Sequence, residues 1–301
     1  MATPTTSNQA RRDLLTGLAW ISPWIVGFSV FMFLPIAMSA YMSFCQFNGL
    51  RPPVFTGLEN FRTLVADPLF WKVLKNTLIY AAFALPLGTI FALTLAVLLN
   101  TRVPGRTLWR AIIFVPTLVP MVAIAMIWLW MFNTRHGLIN VGLGAIGADG
   151  PNWLGDAQWT MPSMVLLSLW SVGHAVVIYL AGLQDVPRSL YEAAHVDGAN
   201  AWQRLRYVTV PMISPAIFFN LIVGIIFVWQ VFAVPYIMIP AGGPGQNAYF
   251  YTMYLYDVAF RDQRFGYACV LSWVQLGIIL ALTGLSFRLS KRLVHYRGAT
   301  R

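Results

Sequence analysis

The chain has 301 residues, 58% of them hydrophobic and only 10% charged. Soluble globular domains carry about a quarter charged residues, so this composition excludes a water-soluble fold and points to one polytopic membrane domain. The formal charge of +10 sits in short segments between long uncharged runs, which argues against a nucleic-acid face and predicts no nucleic-acid partner.

The uncharged runs are Leu14–Leu50, Asn76–Thr101, Ala111–Thr134, Ala157–Gln184, Tyr207–Tyr256 and Phe265–Phe287. Each exceeds the roughly 20 residues that cross a bilayer's hydrocarbon. Tyr207–Tyr256 has the length for two crossings, but IPAGGPGQN (Ile239–Asn247) interrupts it and too little follows before Asp257. Six spans are therefore predicted, near 17–43, 76–99, 110–132, 162–183, 215–238 and 266–288. Without water, backbone N–H and C=O groups must pair within the segment, and these runs lack the alternation of barrel strands. The expected fold class is all-α, a six-helix transmembrane domain over 14–290 that contacts membrane lipid.

In chain order, the first thirteen residues read as a disordered polar leader. In segment 44–75, Asp67 followed by Pro68 predicts a capped short helix leading into the second span. Trp71 and Tyr80 suit the interfacial aromatic belt. Segment 133–161 is Gly-rich and expected along the surface. In 239–265, the loop AGGPG (Ala241–Gly245) is expected to be flexible, either a plain turn or a contact for a docked protein. Residues 291–301 form a basic tail. Cys45 and Cys269 fall near the same ends of their spans and read as two lone buried thiols, with a disulfide left open. No cleavable signal pattern is evident in the first apolar run.

Six spans place both termini on one side. The segments on that side hold thirteen of the twenty Lys and Arg, the opposite set seven. Positive residues stay inside, so both termini and the 184–214 loop are expected to be cytoplasmic.

The interiors of the spans carry no Asp, Glu, Lys or Arg. A carrier coupled to an ion gradient would place such groups there. HExxH, GxSxG and the nucleotide-binding GxxxxGK[ST] are all absent, so no catalytic residue, metal site or ATP site is expected in this chain. An intramembrane hydrolase built on His174 and Ser171 would lack an acid and an oxyanion motif. Polar or aromatic candidates for a passage are His174, Asn220, Trp229, Gln230, Ser272 and Gln275. Ser272 and Gln275, three apart, share a helix face. The alternative for each is bonding to a neighbouring helix, and His174 has no second metal ligand at i+3 or i+4.

The loop 184–214 contains PRSLYEAAHVDGANAWQ. Pro187 opens a helix, and Ser189 with Glu192 predicts a capping box. Gly198 after Asp197 supplies a left-handed exit. Asn200 with Gln203 starts a second short helix carrying Trp202, Leu205 and Val208, and Pro211 and Pro215 mark the return to the membrane. Ala193 and Ala194 keep the first helix narrow, so another protein's backbone can approach it.

LYEAAHVDGA with VPMISP resembles the EAA loop of permease subunits in ABC importers, in the carbohydrate-uptake branch that serves maltose-like sugars, other oligosaccharides and glycerol-3-phosphate. FTGLENF, NTLIYA, AGGPGQNAYFYTMYLYDVAF and FGYACVLSW extend the resemblance over most of the chain beyond residue 50. It implies a bacterial inner-membrane, multi-pass subunit with no cofactor of its own, ATP and Mg being held by a dimeric ABC ATPase. The other implied partners are a second homologous permease and an external sugar-binding protein. Glu192, Ala193, Ala194 and Gly198 would couple to the ATPase. The absence of Lys and Arg inside the spans leans towards a neutral oligosaccharide, disaccharide or polyol as substrate.

Overall fold

The computed structural model describes residues 7–101 and 104–293. Among these residues helices joined by turns and loops predominate, and the one sheet is an antiparallel ribbon pairing Cys45–Gln46 with Val54–Phe55. Among the described residues, four helices are long and apolar enough to cross a membrane unaided: Arg11–Met42, Pro68–Asn100, Ser214–Met238 and Phe265–Ser290. Two further pairs are bent, Arg106–Leu118 with Met121–Met131 by 103° and Ala157–Trp170 with Gly173–Gln184 by 48°. Counting each bent pair as one crossing gives the six spans expected from the sequence.

The chain divides into two compact units, residues up to Ala66 with Asp257–Val274, and Asp67–Tyr256 with residues from Gln275 onward. In the first unit the opening helix starts at Ser7, so residues 7–13 of the supposed leader are helical. It continues through a π-turn, Ser29–Phe33, into Leu34–Met42. Carbonyls just past that helix end need donors, and the Asn60 amide supplies them, donating to Ser43 O at 3.0 Å and Cys45 O at 2.9 Å. Cys45 and Cys269 are both free thiols.

In the second unit, Asp67 Oδ1 accepts from Leu69 N at 2.9 Å and caps a helix that runs unbroken from Pro68 to Asn100. The short helix expected before the second span is simply its first turns. Tyr80 is buried against Phe250, ring centroids 5.0 Å apart, and is no interfacial anchor. Trp71 is exposed. In segment 133–161, Leu138–Ala145 is helical. Asn140 holds this segment, donating to Thr134 O and Pro151 O and accepting from Trp153 Nε1 at 2.6 Å.

The AGGPG loop is a tight turn closed by its own backbone, Gly242 N donating to Ile239 O at 3.0 Å and Ala248 N to Gly242 O at 3.1 Å, and the residues just after it are anchored to other helices. Asn76 Nδ2 donates to Gln246 O at 2.8 Å and Tyr249 O at 3.1 Å, Asn247 Nδ2 donates to Ala157 O at 2.8 Å, and Tyr251 N donates to Thr77 Oγ1 at 2.9 Å. Near the other end of the second span, Ala92 and Ala96 present a smooth face where Val176, Leu180, Leu183 and Ile213 close an apolar cluster. The basic tail enters the structure only through the helix end at Leu293; the rest of it, like residues 1–6, lies outside the described residues.

Candidate functional site

The third span breaks for a chemical reason. Pro116 and Pro120 remove two backbone donors four residues apart, and the residue before a proline is driven out of the helical region. Val115–Leu118 accordingly tightens into a 3-10 turn and Val119 is extended, at φ −74° and ψ 130°. The fourth span breaks beside it, at Ser171 and Val172. Gly173 makes the approach possible: a Cβ there would lie 2.6 Å from Ile113 O and 2.7 Å from Thr117 Cγ2.

Between the two breaks and the second and fifth spans lies a cavity of about 520 Å³. Three stripes with helical spacing form its walls: Tyr80, Ala84 and Gly88; Ser168, Ser171, Ala175 and Tyr179; Asn220, Gly224 and Val228. Its lining contains no carboxylate, ammonium or guanidinium group. His174, in the first turn after the fourth-span break, meets the Phe114 ring edge-on at 5.4 Å and 87°. Asn220 Nδ2 donates to Ala216 O at 3.2 Å in its own helix, which leaves its Oδ1 uncommitted. The buried Tyr179 hydroxyl lies near Thr89 without a full hydrogen bond.

Of the six residues expected along a passage, His174 and Asn220 line this cavity. Trp229 is 1% exposed and packed against Tyr251 at 6.0 Å. Gln275 is also buried, and its amide donates to Trp229 O and to Thr252 Oγ1, the latter at 3.2 Å. Thr252 Oγ1 donates to Trp229 O as well, at 3.0 Å. The helix Ser214–Trp229 ends inside the span, before Ala233–Met238 begins. Its last carbonyl is an orphan at membrane depth, and Gln275 and Thr252 satisfy it. Ser272 Oγ donates to Ala268 O in its own helix at 3.0 Å, and Gln230 is exposed outside the cavity lining. Tyr179, Ser168 and Thr117 line the cavity although sequence reasoning passed over them; the 3-4-4 spacing from Ser168 to Tyr179 carried the signal.

The 184–214 loop forms a second surface. Its first helix is Arg188–Val196, N-capped by the Pro187 backbone with no side-chain bond. The Ser189–Glu192 capping box therefore does not form. Proline fixes the entry by itself, and the Glu192 carboxylate stands exposed, without a partner among the described residues. The exit matches expectation: Gly198 has φ +76°, Gly198 N donates to His195 O at 3.0 Å and Ala199 N to Ala194 O at 2.9 Å, a Schellman pair. Asn200 and Gln203 make the reciprocal capping box of the second helix, which passes through a π-turn, Leu205–Thr209, into Val210–Met212. Ala193 is exposed, and Val196 and Trp202 are 87% and 67% exposed.

Residues 84–297 match the family described as the inner membrane component of binding-protein-dependent transport systems. The chain belongs to that family. It is 34% identical over 293 residues to LacF, a lactose transport system permease protein of Rhizobium radiobacter, covering 95% of this chain and 98% of that one. It is 31% identical over 283 residues to SmoG, a sulfoquinovosyl glycerol transport system permease protein of Agrobacterium fabrum, covering 92% and 91%. A chain of a crystallised bacterial ABC transporter involved in the import of the acidic polysaccharide alginate shares its fold with a TM-score of 0.82, at 25% identity over 95% of this chain and 98% of that chain. The permease is thus an inner-membrane transporter subunit and not an enzyme.

Proposed function

We propose that this permease forms half of the passage of an ATP-driven sugar importer, with the helix Arg188–Val196 as the element that couples it to a separate ATPase. The observation that carries this reading is the bare outer face of that helix. Glu192, Ala193 and Val196 are exposed on a short, doubly terminated helix that none of the other described residues covers. Such a face fits a groove in a partner protein: two small residues allow close approach, one carboxylate sets register, and Gly198 sharpens the turn behind them. In this reading the loop and both termini are cytoplasmic, in keeping with the distribution of Lys and Arg. ATP and Mg bind the partner, a second permease completes the passage, and an external binding protein delivers the substrate.

The relatives named for lactose and sulfoquinovosyl glycerol support a carbohydrate as substrate. A mostly apolar cavity that carries a few hydroxyls, an amide, an imidazole and aromatic faces, with no fixed charge, favours a neutral oligosaccharide, disaccharide or polyol. The decisive experiment reconstitutes the permease with its partner permease, ATPase and binding protein. The binding protein is first screened by thermal shift against lactose, maltose, maltotriose, glycerol and an acidic uronate. Glu192→Lys is expected to leave the permease inserted while uptake falls at least tenfold and ATP hydrolysis no longer tracks it. Normal uptake by that variant would sink the coupling assignment, and a binding protein selective for the uronate would sink the neutral-substrate assignment.

A further inference from the structure

The helix Arg188–Val196 can act on the membrane only through what it touches. Its outer face is bare, and its inner face rests on Tyr191. The Tyr191 ring packs on the apolar cluster that joins Ala96 and Leu99 of the second span, Leu180 and Leu183 of the fourth and Ile213 before the fifth. Its hydroxyl goes elsewhere: Tyr191 OH and Thr209 Oγ1 lie 3.0 Å apart. Thr209 is 5% exposed and closes the π-turn Leu205–Thr209. Its own hydroxyl proton goes to Arg204 O, 3.3 Å away and five residues back, so the Thr209 oxygen is the acceptor for Tyr191. On the main chain, Thr209 O accepts from Ile213 N and Ile213 O from Ile217 N, both at 3.0 Å, which leads directly into the fifth span.

We propose that the Tyr191–Thr209 hydrogen bond is the bolt through which displacement of the coupling helix reaches the fifth span, with both residues acting as positioning residues. This rests on the coupling reading above. An apolar contact alone can slide, because hydrophobic attraction is non-directional, whereas a hydrogen bond to the buried Thr209 fixes distance and angle. Another polar contact between the two short helices, Arg204 Nη1 with His195 Nδ1 at 3.5 Å, is solvent-exposed and is weakened by water and salt. The π-turn suits this role as well. A widened turn is a poor stretch of rod unless it is braced, and the Thr209 hydroxyl braces it from inside while receiving Tyr191 from outside. The fifth span carries Asn220 into the cavity, so a bolted helix would move a cavity wall.

The test uses the full assembly with partner permease and ATPase in lipid nanodiscs. Ser171→Cys, in a Cys45→Ala, Cys269→Ala background, reports on the cavity through its rate of labelling by a small maleimide. ATP with vanadate is expected to change that rate in the otherwise unaltered permease. Tyr191→Phe removes only the bolt and is expected to shrink the nucleotide-driven change about fivefold, the factor associated with one hydrogen bond, while the assembly still hydrolyses ATP. Thr209→Val should do the same, Thr209→Ser should restore the response, and Tyr191→Phe with Thr209→Val should be no worse than Thr209→Val alone. A purely structural role would lower assembly yield or thermal stability and leave the labelling response intact. A full response in Tyr191→Phe, or one not restored by Thr209→Ser, overturns the bolt and leaves the coupling reading standing. No nucleotide response in the parent assembly overturns both.

Discussion

Two interruptions in the membrane helices show opposite treatments of the same problem. After Trp229 the fifth span stops short, and its orphan carbonyl receives the Gln275 amide and the Thr252 hydroxyl. At Ser171 and Val172 the fourth span also breaks, but the neighbouring groups, His174, Asn220 and the Tyr179 hydroxyl, keep unused hydrogen-bonding capacity and face a cavity. Irregular backbone is tolerated at membrane depth only where protein satisfies it or where it lines a cavity. The first break takes one solution and the second takes the other. Polar residues near the first are held by the fold, and those near the second are left available for a ligand.

The largest effect expected from this contrast is at Gly173, the contact that sets the two broken spans against each other. A Cβ there falls 2.6 Å from a carbonyl oxygen, so Gly173→Val must push the helices apart, at a cost of about 3 kcal/mol. Loss of folded protein in a detergent melt, together with loss of uptake, is the expected result. A variant as stable as the parent would show that the breaks do not depend on their contact.

Next comes Gln275→Leu, which removes one of two donors to the Trp229 carbonyl at nearly constant volume. The remaining Thr252 hydroxyl limits the damage to roughly 1–2 kcal/mol, read as a lowered melting temperature with unchanged sugar preference. Altered preference at normal stability would return Gln275 to the passage and erase the distinction between the breaks.

Much of this was legible in the sequence, and the exceptions have physical causes. Apolar run lengths located all six spans, because the bilayer imposes a length that composition alone reveals. The Pro116–Pro120 pair signalled the third-span break, yet a run count treats PTLVP as apolar and reads through it. The fourth-span break has no proline; close approach at Gly173 shows only in three dimensions. In the 184–214 loop, the Asn200–Gln203 box and the Gly198 exit formed because their geometry is local. The Ser189–Glu192 box did not, since Pro187 had already set the helix start two residues earlier. Trp229 and Gln275 have the residue types of a sugar site, but type does not say whether a group's hydrogen bonds are already spent.

The smallest effect on stability, and the most informative about transport, is expected at Asn220. Its amide makes one bond within its own helix and none to another span among the described residues, so Asn220→Leu removes little that holds the fold together. The melting temperature should stay close to that of the parent, because a half-satisfied polar group in an apolar setting contributes little net stability. Uptake should respond differently: a sugar hydroxyl that met the free Oδ1 would lose its partner, and half-saturation should rise about threefold to tenfold. The variant therefore separates the two treatments with one pair of measurements. Lower stability with unchanged uptake would place Asn220 with Gln275 among the residues that close a break. Unchanged stability with weakened uptake keeps it on the cavity wall, where an unspent hydrogen bond is what a passing sugar can use.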